Sequence, residues 1–162
     1  MMRRLAVLVL GCLTLGASAS AFSDSELTEL CPSVGIAKDA KTHAVYPGGA
    51  PGRSVKEYNH IAVVLAATAV CREDPEGNMV ADVTVQYAVE TGPLYRGSAE
   101  TVIFAAVERG GTEAARLTSA KTVKPEGLGA QITVTDTVSG LMIGDDDAAE
   151  APDLAIVVGF TK

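Results

Sequence analysis

The clearest pattern along the chain is a period of two. Between Met79 and Glu90, the residues Met79, Ala81, Val83, Val85, Tyr87 and Val89 fall on one side, and Asn78, Asp82, Thr84, Gln86 and Glu90 on the other. Alternation of this kind predicts a β-strand with one dry face, and puts Val83, Val85, Tyr87 and Val89 in the core. His60 to Cys71 is the most apolar stretch, and its β-branched residues Val63, Val64, Thr68 and Val70 favour a strand over a buried helix. Val34 to Ala37, Thr101 to Arg109, Thr112 to Lys124, Gln131 to Val138 and Leu154 to Phe160 complete a set of about seven strands. Turn signals separate them: Asp74-Pro75-Glu76-Gly77-Asn78, Thr91-Gly92-Pro93 and Gly110-Gly111, with a Pro/Gly-rich loop from Tyr46 to Gly52. Short strands at this spacing, without a long amphipathic helix, predict an all-β protein: an immunoglobulin-like antiparallel β-sandwich over residues 31–162. Thr112 to Lys124 is the most polar of the set and reads as an edge strand.

Charge narrows the partners. The chain of 162 residues carries 13 Lys+Arg against 20 Asp+Glu, a net charge of -7. An acidic chain without clustered Lys and Arg lacks the footprint of a nucleic-acid binder.

The first residues read as an address rather than as fold. Met1 to Arg4 is a short basic stretch, Leu5 to Leu15 is apolar, and Ala17-Ser18-Ala19-Ser20-Ala21 offers the small residues that a signal peptidase reads. Residues 1–21 are therefore expected to be removed by a cut after Ala21, with Ala19 as the second choice. A competing event is acylation of Cys12, because Val9-Leu10-Gly11-Cys12 resembles a lipobox. That route would attach the protein to a membrane peripherally, with no transmembrane span in the mature chain. Residues 22–30 form a short acidic tether or a helical turn. Removal of residues 1–21 leaves two cysteines, Cys31 and Cys71, and in an exported chain an even pair predicts a disulfide. Antiparallel pairing of the strands that begin after Cys31 and end at Cys71 would bring the two together.

Candidate chemistry is sparse. His43 and His60 lie in no catalytic motif and read as surface or strand-end residues. Asp145-Asp146-Asp147, with Glu150 and Asp153 nearby, is the densest carboxylate cluster and the one calcium candidate. Its spacing is not that of an EF-hand, so a solvated acidic loop is the expectation. Gly48 to Ser54 lacks the Lys of a phosphate-binding loop. No cofactor is implied, and the expectation is a protein without enzymatic activity. Arg116, Lys121 and Lys124 place positive charge along the predicted edge strand of an acidic protein. They mark either a surface for strand addition or a guard against aggregation. A small-ligand carrier with a cleft in the sandwich is the alternative, and a hydrolase with an unrecognised carboxylate pair is the third.

Cys31-Pro32-Ser33-Val34, the Asp39-Ala40 that follows, Cys71 after a hydrophobic strand, and Glu90-Thr91-Gly92-Pro93 form a recurring pattern. Over residues 31–125 the chain resembles a group of small bacterial envelope proteins and lipoproteins of unknown function. The resemblance implies a cell-envelope setting and an immunoglobulin-like sandwich, and it carries over no catalytic residues. The first reading of the chain is an accessory protein that binds another envelope protein.

Overall fold

The structure is a computed structural model, and it describes residues 31–49, 57–144 and 153–161. The predicted signal segment with Cys12, the tether at 22–30, and the acidic residues Asp145, Asp146 and Asp147 lie outside the described residues. Among the described residues, eight strands form two four-stranded sheets. They are β1 (Ser33–Ile36), β2 (Thr42–Val45), β3 (His60–Glu73), β4 (Met79–Thr91), β5 (Ala99–Arg109), β6 (Thr112–Val123), β7 (Gln131–Gly144) and β8 (Leu154–Phe160). One sheet has the order β1-β8-β5-β6 and the other β2-β3-β4-β7. All pairings are antiparallel except β1 with β8. The protein is thus an all-β sandwich of two largely antiparallel sheets.

The strand not foreseen is β2. Its four residues pair with the start of β3, Val45 opposite His60 and Thr42 opposite Val63. So short a segment between two loops carries too few alternations to register as a pattern. The chain from Ser33 to Val45 serves both sheets in turn. It pairs with β8 first, crosses at Ala37 to Lys41, and then pairs with β3.

The core lies between the sheets. Val83, Val85, Tyr87 and Val89 of β4 are wholly buried, while Gln86 on the opposite face is exposed, so the alternation along β4 reports its register correctly. Ile103, Ala105 and Val107 of β5 and Ile156, Val158 and Phe160 of β8 meet them from the other sheet. Phe160 stands edge-on to Tyr87, with ring centroids 5.5 Å apart, a favoured aromatic geometry.

Cys31 and Cys71 form a disulfide, with Cα atoms 5.3 Å apart and a sequence separation of 40. The expected reason for their meeting is corrected. The strand after Cys31 does not pair with β3; it pairs parallel with β8 in the opposite sheet. The bond therefore crosses between sheets at a corner of the sandwich.

Two glycine sites have direct physical causes. Gly110 and Gly111 both have positive φ, 57° and 77°, and close the β5–β6 hairpin as the sequence predicts. At Gly92 a Cβ would lie 2.3 Å from the Tyr58 carbonyl oxygen, so only glycine admits the backbone of residue 58 there. That contact gives the Gly-Pro pair after β4 a structural purpose: Gly92 N–H donates to the Asn59 carbonyl at 2.7 Å.

Candidate functional site

The sequence points to β6, and the structure makes it an edge strand. Among the described residues it pairs only with β5, and most of its residues are exposed. Its three basic residues have different surroundings. The Arg116 guanidinium lies 4.0 Å from the centroid of the Phe104 ring and donates to Glu113 at 2.9 Å. Those bonds hold the Glu113 carboxyl below its ordinary range and Arg116 above its own. Lys121 turns toward the other sheet, where its Nζ donates to the Thr135 carbonyl of β7 at 2.7 Å. Lys124 remains exposed just beyond the strand, and Leu128 in the β6–β7 connection is 68% exposed.

Edge strands β6 and β7 thus face one another across one side of the sandwich. Ser119 Oγ donates to Asp136 Oδ2 at 3.0 Å, beside the Lys121 contact. Deeper in, the Tyr87 hydroxyl meets Thr101 Oγ1 at 2.9 Å, and Thr101 donates to the Lys121 carbonyl at 3.3 Å. Burial raises the Tyr87 phenol above its ordinary pKa. The polar seam joins the sheets where no backbone pairing does. It was not legible in the sequence, because its members come from β4, β5, β6 and β7.

The chain's two histidines come together at the opposite side. Val45 faces His60 in the β2–β3 register, so His43, two residues before Val45, shares its face of the sheet. Both line a cleft of about 340 Å³ with Asn59, Ser98, Glu100 and Thr161. His43 sits on the short strand β2, stacked on Phe160 at 6.0 Å. His60 opens β3 as predicted but is not at the surface; it is 2% exposed. Its Nε2 lies 3.0 Å from the Glu100 carbonyl, which can only accept, so Nε2 carries a proton. Its Nδ1 lies 2.8 Å from the Asn59 side-chain amide; a neutral ring protonated on Nε2 can only accept there, so the amide presents its NH2 group to Nδ1. Burial lowers the pKa of both rings; for His60 the Glu100 carbonyl opposes this and the neighbouring His43 adds to it. With both nitrogens of His60 engaged, the pair is built as a structural contact.

A second cleft, of about 440 Å³, lies on the outer face of the β1-β8-β5-β6 sheet and is lined by Asp39, Phe104, Glu108, Arg116 and Val157 among others. Phe104, Ala106 and Ala40 form a small apolar cluster there, separate from the main core. Among the described residues, no group of three or more His, Cys, Asp or Glu side chains is arranged to hold a metal ion.

Comparison of the chain with protein families, with curated proteins and with solved structures finds no match.

Proposed function

We propose that this is an exported cell-envelope protein, periplasmic or associated with the outer membrane, that works without catalysis as an interaction module or accessory subunit. The observation that carries this reading is β6, a twelve-residue edge strand with one neighbour and a largely exposed surface. Its free backbone groups suit strand addition by a partner. Lys124 adds a positive charge and Leu128 an apolar side chain at one end of that edge, which favours an acidic, partly apolar segment of another envelope protein. The Cys31–Cys71 disulfide is compatible with an oxidising compartment. Among the described residues, no helix is long and apolar enough to cross a membrane.

The test is recovery of partners from crosslinked cells with a tagged bait. Charge reversal at Lys121 and Lys124 is compared with Lys124→Glu combined with Leu128→Glu, which leaves the Lys121–Thr135 contact in place. Loss of the same crosslinked partner in both variants, with the melting temperature of the second unchanged, is the expected result. Undiminished recovery with an intact fold would remove the β6 edge as the binding surface. The small-ligand alternative rests on the cleft over Phe104, where the Arg116 guanidinium is already stacked and paired with Glu113.

A further inference from the structure

A second strand edge has no partner along most of its length. β3 pairs with β4 from His60 to Glu73, but β2 covers its other side only from His60 to Val63. One more bond, from Val64 N–H to the Lys41 carbonyl at 2.9 Å, ends that coverage. A register shift follows between Val64 and Ala66. From Ala66 to Glu73, among the described residues, β3 has a strand on one side only, because the neighbouring β1 turns to the other sheet and pairs with β8.

The usual protections of an edge are missing here. Leu65-Ala66-Ala67-Thr68-Ala69-Val70 contains no charge, no Pro and no Gly. Leu65 is 51% and Val70 59% exposed, among the most exposed large aliphatic residues described. A neutral, β-prone edge of this length invites another strand. β6, by contrast, carries Arg116, Lys121 and the adjacent Lys124.

We propose that this edge is a self-association surface, on which a second copy of the chain pairs antiparallel through the same segment about a two-fold axis at Thr68. Directly opposed residues must point to the same face of a sheet, so a symmetric pairing is centred on one residue. Centred on Thr68, it sets Val70 opposite Ala66 of the second copy and Ala67 opposite Ala69. Large meets small on the outer face, and small meets small on the inner one. Leu65 and Val70 are covered at both ends of the run. The residue on the axis must face its own image, and Thr68 does so without charge repulsion. The charged residues of β3 begin only at Arg72, whose Nε already donates to Asp82 at 3.2 Å. The β2-β3-β4-β7 sheets of the two copies would join into one continuous sheet. The surface lies apart from β6, so this proposal and the preceding one fail or stand separately.

Sedimentation of the purified, exported protein with its disulfide intact is expected to show a dimer at micromolar concentration. Thr68→Lys places like charges on the axis and is expected to weaken dimerisation by about tenfold or more, with the melting temperature of the monomer unchanged. Oxidised Thr68→Cys is expected to crosslink to itself, since opposed strand residues stand about 4.5–5.5 Å apart at Cα, inside the disulfide range. Thr135→Cys, on the same sheet face but two strands away, is the control expected to remain uncrosslinked. A monomer at all concentrations overturns the proposal. So does a dimer indifferent to Thr68→Lys, or crosslinking equal at positions 68 and 135. If Thr68→Lys does not fold, Val70→Glu on the same exposed face replaces it under the same criteria.

Discussion

His60 shows how much a single position can conceal. In the sequence it is a polar residue at the start of an apolar run; in the fold it is a buried ring held by Asn59 and the Glu100 carbonyl. Its pKa, like that of His43, is lowered from 6.5. The folded rings therefore stay neutral at a pH where the unfolded chain has begun to bind protons. Stability is then complete above the unfolded value of 6.5 and falls as the pH drops below it. The carboxylates with lowered pKa, Asp74, Asp82 and Glu113, act in the same sense but only below their ordinary values of 3.8 and 4.5. Denaturation midpoints are expected to decline between about pH 7 and pH 5, before any carboxylate contributes. His60→Gln should cost about 1–3 kcal/mol through its lost hydrogen bonds and flatten that decline. A wild-type profile already flat across the same range would contradict the assignment.

Among the elements, β4 was the most legible and β2 the least. Alternation along most of its thirteen residues gives β4 a face and a register, and neighbours on both sides, β3 and β7, hold it. β1 and β2 are four residues each, and their partners are chosen by where the chain crosses between sheets. The disulfide belongs to this scale because it ties the entry to β1 against β3, in the other sheet. Cys71→Ser is expected to lower the unfolding free energy by about 2–4 kcal/mol, the usual range for closing a loop of this size. Reduction of the wild type should give a similar loss. Equilibrium denaturation of the oxidised, reduced and substituted proteins measures both, and a change below about 1 kcal/mol would mean that the corner holds without its bond.

For the whole molecule, the two open sides of the sandwich are closed by different means. On one, Lys121 and Ser119 reach across to β7. On the other, among the described residues, the divided strand β1–β2 covers only the start of the β3 edge. Export is a prediction at this scale, since it decides which chain folds and whether the disulfide forms. N-terminal sequencing of the protein from cells is expected to begin at Phe22. A start at Met1 or Met2 would contradict export by this route, and an acylated Cys12 would show lipoprotein processing in its place.

The sequence by itself determined the class of fold, the inward face of β4, the Gly-Gly hairpin and the edge position of β6. These follow from local rules: side chains alternate with period two along a strand, and tight turns select particular residues. The pairing of Cys31 with Cys71 was also legible, because only two cysteines remain once Cys12 is removed. Tertiary structure alone decided which strands are neighbours. It placed β1 against β8, brought His43 beside His60, turned Lys121 onto Thr135 and, among the described residues, gave part of β3 a strand on one side only. The physical reason is that strand order is set by non-local backbone pairing and by burial of both inner faces at once. A residue's neighbours in sequence do not encode which distant strand will lie beside it.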